Sequence, residues 1–159
     1  MEIVRAKPSD AAALTAVAFA AKRHWGYPES WIRQWRGSLT ITPAFIADNP
    51  VFAAVSEKNV LGFGALRIEG GIAEIDHLWV LPVAMGRGVG RRLFATLEGE
   101  AKNRRVRTLR LQADPNAEGF YLRMGARTVS RVPAAVNGAE RFLPVMEKEL
   151  GLSSEFVPK

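Results

Sequence analysis

Residues 78 to 94 read LWVLPVAMGRGVGRRLF, and within them Gly86, Gly88 and Gly90 alternate with Arg87, Val89 and Arg91. Glycines so spaced let backbone N–H groups come close to a bulky anion, because no Cβ holds it away. A helix starting in this segment opens with amides that have no intrahelical acceptor and with the positive end of its dipole. Together these features make a phosphate site, to which Arg87, Arg91 and Arg92 add formal charge. Two common nucleotide motifs are excluded. A dinucleotide fingerprint needs a third glycine three residues after the second, where Arg91 stands, and the lysine and Ser/Thr of a nucleoside-triphosphate loop are missing. The ligand implied is a phosphorylated cofactor of another kind.

Groups able to move a proton are few. Glu74 and Asp76 lie two apart shortly before the loop, and strand alternation puts both on one face unless a bulge intervenes. Each can equally be a solvent-facing strand residue, and for Glu74 that reading is preferred. His77 falls on the opposite face of an ideal strand as a packed side chain, and His24 reads as a surface residue. Tyr121, between Phe120 and Leu122, reads as part of an amphipathic helix whose hydroxyl reaches water. Cysteine is absent, which excludes disulfides, cysteine-based zinc sites and an acyl-cysteine intermediate, so any acyl transfer must be direct. With His24 and His77 as the only imidazoles, no metal site is expected.

The elements that must position these groups follow an alternating α/β pattern. Residues 2 to 6 read as a strand, and Ser9 with Asp10 caps a helix carrying Leu14, Val17 and Ala21 on one face. Pro28 opens a second helix through Trp31, Ile32, Trp35 and Leu39, and Thr42-Pro43 caps one further turn. Strands at 51 to 56, 60 to 68 and 72 to 81 have connections short enough to force an antiparallel meander. The helix after the glycine loop puts Val89, Leu93, Phe94, Leu97 and Ala101 on one face and feeds a strand at 107 to 113. A helix from Asn116 to Met124 ends at Gly125, and strands at 127 to 133 and 140 to 150 flank the hairpin signal Asn137-Gly138. Strands 72 to 81 and 107 to 113, joined through a helix, should be parallel neighbours, with ligand beyond their carboxyl ends. A chain of 159 residues, 48% of them apolar, suits one domain over residues 1 to 150 with a C-terminal tail from 151 to 159. No run approaches the roughly 20 apolar residues of a membrane span. MEIVRAKPSD lacks the apolar core of a signal peptide, so a cytoplasmic location without a membrane partner is expected.

The loop and its surroundings resemble the GNAT superfamily of acyl-CoA-dependent N-acyltransferases. That family reads apolar-x-Val-x-Pro, matched by Leu78, Val80 and Pro82, then Gln/Arg-x-x-Gly-x-Gly/Ala, matched at Gly88 and Gly90 with Met85 in the usually polar first place. Downstream, Asn116 before AEGFYLRMGA is similar to the family's Asn followed by Phe-Tyr-x-x-x-Gly. The resemblance covers most of the chain, from the first strand to Leu150. It implies an α/β (α+β) fold: a mixed, mainly antiparallel sheet of six to seven strands, flanked by about four helices, with a splayed parallel central pair. It also implies acetyl-CoA as co-substrate, held by Leu78, Trp79 and Val80, by Met85 to Arg91 (Met85, Gly86, Arg87, Gly88, Val89, Gly90, Arg91), and by Asn116 and Tyr121. In the family the backbone of the first splayed strand holds the pantetheine arm and the acetyl carbonyl, a carboxylate near Asp76 serves as base, and the tyrosine matching Tyr121 protonates the departing thiolate. Asn116 either holds the pantetheine arm or caps its helix.

The acceptor is an amine, and its pocket is expected in the N-terminal third, as in family members. His24, Trp25, Tyr27 and Trp31 concentrate aromatics there with Trp35. Such a cluster is core packing, or else a box for a cation with Asp48 or Asp76 as countercharge. The net charge of +6 has open readings as a solvated helix end around Lys102 to Arg107, as attraction of coenzyme A phosphates, or, least favoured, as an RNA surface for an aminoacyl-tRNA acceptor. A non-catalytic coenzyme A-binding module and a homodimer also stay open.

Overall fold

The computed structural model describes residues 1–151; beyond Gly151 the expected C-terminal tail lies outside the described residues. Seven strands form one sheet: β1 (Glu2–Arg5), β2 (Val51–Ser56), β3 (Asn59–Glu69), β4 (Ile72–Val80), β5 (Thr108–Gln112), β6 (Arg127–Pro133) and β7 (Phe142–Glu149). Their order is β1-β2-β3-β4-β5-β7-β6, and all neighbours are antiparallel except β4 and β5. The turns have local causes. Glu57 and Lys58 take positive φ between β2 and β3, Gly70 does so between β3 and β4, and Asn137-Gly138 does so at the tip of the β6–β7 connection, as a tight hairpin requires.

Among the described residues six α-helices cover the two faces: α1 (Ala11–His24), α2 (Glu29–Gln34), α3 (Arg36–Leu39), α4 (Pro43–Asp48), α5 (Val89–Asn103) and α6 (Glu118–Arg123). The helical layer is more finely divided than the sequence suggests, because the run from Pro28 to Leu39 breaks at Trp35, with φ −88° and ψ 2°. On one face Leu14, Val17 and Ala18 of α1 pack with Leu39, Ile41 and Ile46 against Val51, Phe63 and Ala65. On the other, Phe94, Leu97 and Ala101 of α5 pack with Tyr121 against Leu66, Ile75, Leu109 and Met146. Among the described residues no helix is long and apolar enough to cross a membrane.

One irregularity shapes the sheet. β3 pairs Ala65 with His77 and then Leu66 with Ile75, leaving Asp76 as an extra residue in β4. Such a bulge bends its strand and increases its twist. The parallel pairing of β4 and β5 runs only through Ile72↔Thr108, Ala73↔Leu109 and Glu74↔Arg110. Past it, β4 follows β3 to Val80 while β5 follows β7 to Gln112, so the two strands diverge.

Candidate active site between the splayed strands

The divergence opens a cleft of about 580 Å³ running from Ile75–Val80 on one side and Leu111–Asp114 on the other to the glycine loop. The register decides which backbone groups face it. Leu81 N donates to Leu61 O at 2.8 Å, so by antiparallel alternation Trp79 turns its N–H and C=O toward β3, while Leu78 and Val80 turn theirs into the gap. The Leu78 and Trp79 side chains meanwhile belong to the cores on opposite faces. Packing by the Leu78 and Val80 side chains is thus compatible with binding through their backbone groups.

At the loop, Gly86 and Gly88 have φ of 76° and 83°, and no atom lies within 4 Å of where a Cβ would stand on either. Gly88 caps α5, whose first internal bond is Arg92 N to Gly88 O at 3.1 Å. The amides from Gly86 to Arg91 accordingly have no acceptor among the described residues, and they meet the positive end of a fifteen-residue helix. Gly90 is constrained by packing instead, since a Cβ there would approach the Phe120 ring to 3.2 Å. Met85, Gly86, Gly88, Gly90 and Arg91 line the cleft. Arg87 is exposed on the loop without lining it, and Val89 buries its side chain against Leu93 and Ala84, leaving its amide for the loop.

Across the gap α6 contributes Tyr121, 7% exposed and packed against Phe94 and Phe120. Its hydroxyl has no hydrogen bond, yet no buried side-chain oxygen among the described residues lacks a partner, so this oxygen opens onto the cleft that Tyr121 lines. Burial pushes the phenol well above its usual pKa, with the Asp114 charge adding to the shift. It therefore remains protonated throughout the physiological range.

The carboxylates separate. Glu74 lies outside the cleft, in a smaller polar recess with Arg67 and Arg110. Its register partners are Arg67 on β3 and Arg110 on β5, and Arg110 in turn pairs with Glu147 at 2.8 Å, so Glu74 belongs to an alternating charge ladder across the sheet. Asp76 lines the cleft. Its oxygens stand 3.8 Å from Arg67 Nη1 and 3.9 Å from His77 Nε2, beyond hydrogen-bond reach. The bulge also brings His77 to the α1 face, between Phe45 and Phe63, rather than to the side that ideal alternation expects. His77 Nδ1 accepts from Trp79 Nε1 at 3.0 Å, which assigns its proton to Nε2. Burial lowers its pKa against the pull of Asp76, so a neutral His77 already bearing the Nε2 proton has no free lone pair with which to act as a base.

The N-terminal aromatics are divided in the same way. Trp25 lines the cleft, whereas His24 stacks edge-on against it and remains exposed. Tyr27 stands behind the cleft wall, and Trp31 packs on Tyr27 and Trp35 without reaching the cleft. Asp48, the other suggested countercharge, is exposed at the end of α4. The countercharge found here is Asp114, which sequence reasoning missed. Its carboxylate meets Lys22 Nζ at 2.7 Å, the Tyr27 hydroxyl at 3.0 Å and Asn116 N at 2.8 Å. Burial would raise the Asp114 carboxyl, but Lys22 and the other donors outweigh burial and hold it below the usual range. Burial lowers Lys22 in spite of Asp114. Asp114, not Asn116, caps the turn leading into α6, and Asn116 Nδ2 donates to Tyr27 and Asp114 at 3.0 Å. The only local sign of this cluster is the turn-forming triplet Asp114-Pro115-Asn116.

Comparison with known proteins places this geometry. The profile of one family, the acetyltransferase (GNAT) domain, matches residues 39–150. No curated protein sequence matches the chain. Among solved structures, a GCN5-related N-acetyltransferase from Rhodopseudomonas palustris is similar at 25% identity and a TM-score of 0.77, with 94% of this chain and 95% of that one covered. The PaiA N-acetyltransferase of Thermoplasma acidophilum, in complex with coenzyme A, is similar at 22% identity and TM-score 0.75, covering 93% and 98%. A ribosomal-protein-alanine N-acetyltransferase from Brucella melitensis is similar at 24% identity and TM-score 0.70, covering 94% and 100%.

Proposed function

Because this chain belongs to the GNAT acetyltransferase family, we propose that it moves the acetyl group of acetyl-CoA directly to a primary amine of a small molecule or peptide, within a single domain spanning residues 1 to 150. One observation carries the reading: between the splayed β4 and β5, the acceptor-free amides of Gly86 to Arg91 and the unpaired Tyr121 hydroxyl open onto the same cleft. These groups fit a cofactor with a pyrophosphate at one end and a long amide-bearing arm. The amides of Gly86 to Arg91 hold the phosphates with help from Arg91, and the Leu78 and Val80 backbone groups pair with the arm. When bound, acetyl-CoA supplies an acyl group already activated as a thioester.

The chain's own residues then handle charge and protons. A backbone N–H of β4 aimed into the gap donates to a carbonyl oxygen as negative charge develops there. Asp76 holds or takes the proton of the incoming ammonium, directly or through water, which matters because an alkylamine of pKa about 10.4 is neutral in only about one molecule per thousand near pH 7. Tyr121 Oη delivers a proton to the departing sulfur, a role that its raised pKa keeps it charged with proton to perform. The test is thiol release from acetyl-CoA with a panel of amines, amino acids and short peptides. Release above the hydrolytic background with at least one acceptor is expected. Binding of coenzyme A with no release for any acceptor would mark the chain as a non-catalytic binding module.

A further inference from the structure

The cluster around Asp114 has one more cation than it needs. Lys22 of α1 and Arg141, just ahead of β7, converge on a single carboxylate, with Asp114 Oδ2 at 2.7 Å from Lys22 Nζ and 3.8 Å from Arg141 Nη2. All three side chains are nearly enclosed, at 11%, 12% and 8% exposure for Lys22, Arg141 and Asp114. Aromatic rings form the walls: Arg141 lies 5.3 Å from the Tyr27 ring centroid and 5.0 Å from that of Trp35, and Lys22 lies 4.1 Å from Trp35. A partly desolvated site with a net charge of +1 is unfavourable unless something negative completes it.

Arg141 shows where that something fits. Its one side-chain hydrogen bond among the described residues runs from Nη2 to the Tyr27 hydroxyl, at 3.2 Å. Nε and Nη1 have no protein acceptor, and since no enclosed side-chain nitrogen among the described residues is left unpartnered, both remain reachable from outside. Nη2 carries two hydrogens and gives one to Tyr27, so the other still pairs with Nε–H or with Nη1–H, and a guanidinium held between two rings keeps one two-donor edge that matches a planar carboxylate. Asp114 and Asn116, the neighbours of this guanidinium through Tyr27, line the same cleft as Tyr121 and Asp76.

We propose that the Lys22–Arg141 pair beside Asp114 is an acceptor subsite for a carboxylate, so that the amine substrate is a small amino acid rather than a simple alkylamine or a polyamine. The proposal rests on the acetyltransferase reading for the fate of the amine, but not for the binding of the carboxylate. Its experiment separates the two. Tryptophan fluorescence, reported by Trp35 and Trp79 beside the cluster, is titrated with a panel of N-acetyl amino acids and with their carboxamides. The same amino acids and their amides are compared as acceptors in thiol release. At least one acid should bind while its amide does not, and free amino acids should exceed their amides at least tenfold in kcat/KM. Arg141→Gln should abolish that discrimination through the acceptor's KM, while the KM for acetyl-CoA stays within about twofold. Arg141→Lys, which keeps the charge but loses the fork, should bind the acid with intermediate affinity and guards against a folding defect in the glutamine variant. Acids binding with no thiol release would uphold the subsite and remove the acetyltransferase reading. Acids and amides behaving alike, no response to any acid, or unchanged discrimination in both Arg141 variants would overturn the proposal.

Discussion

At the scale of single residues, the two groups proposed to handle protons, Tyr121 and Asp76, line opposite walls of one cleft, so their removal should leave different signatures. Tyr121→Phe keeps the ring that packs on Phe94 and deletes only an oxygen with no protein partner, so stability should be unchanged. Turnover should fall by about 10²-fold or more with cofactor affinity intact, as steady-state kinetics and calorimetry would reveal; full activity in the variant would mean that solvent protonates the thiolate. Asp76→Asn should instead depress activity most steeply at low pH, where neutral amine is scarcest, and a pH-rate profile identical to the parent's would leave water as the proton acceptor. His77 does not substitute for it, because its Nδ1 is occupied by Trp79. The sequence made Tyr121 and Asp76 visible as candidates. Their contrasting neighbours, a phenol without a partner and a carboxylate just out of hydrogen-bond reach of one guanidinium and one neutral imidazole, appear only once β4 and α6 are placed together.

At the scale of elements, the strand–loop–helix unit was the most legible part of the chain, since everything it needs lies within a short stretch from Leu78 to Phe94. Gly88→Val tests it with little effect on the core. A β-branched residue at φ 83° is strained, and a side chain in the open space above the loop would occupy the place proposed for the phosphates. Acetyl-CoA affinity should drop by at least tenfold by calorimetry, and the melting temperature should fall by a few degrees only. Gly90→Val would be a poorer test because it also collides with Phe120. The bulge was harder to see. A period-two pattern predicts Glu74 and Asp76 on one face, and the slip is marked only by the polar doublet Asp76-His77 amid alternating residues. Likewise the helical spacing from Trp31 to Leu39 is sound, but it does not reveal the break at Trp35, which is set by packing of that ring against Tyr27 and under Lys22.

At the scale of the whole molecule, the Asp114 cluster fastens three distant parts of the chain, α1, the turn after β5 and the lead-in to β7. Residues 92 apart in sequence make its shortest contact, which is why no local pattern announced it. Asp114→Asn would leave Lys22 and Arg141 facing each other and should cost about 3 kcal/mol at pH 7, measured by urea unfolding. The folded carboxyl sits below its ordinary pKa of 3.8, so its stabilising contribution is complete above that pH and fades as pH falls through the folded value. The gap between parent and variant should therefore narrow in acid below pH 3.8 and stay constant above it. A constant gap down to the most acidic point would show that the carboxylate's charge contributes nothing.

The short parallel pairing has a mechanical consequence. A four-stranded half-sheet, β1 to β4, meets a three-stranded one, β5 to β7, along a seam of three residue pairs, and an extended ligand bound in the cleft as proposed would become its keystone. Adjacent amides in one strand then keep different clocks. By the register Trp79 N–H turns toward β3, whereas those of Leu78 and Val80 look into the wedge. In hydrogen–deuterium exchange, Leu78 and Val80 should slow markedly on addition of coenzyme A while Trp79 stays slow throughout. Uniform protection along β4 would mean that the two half-sheets close on each other instead of on a guest.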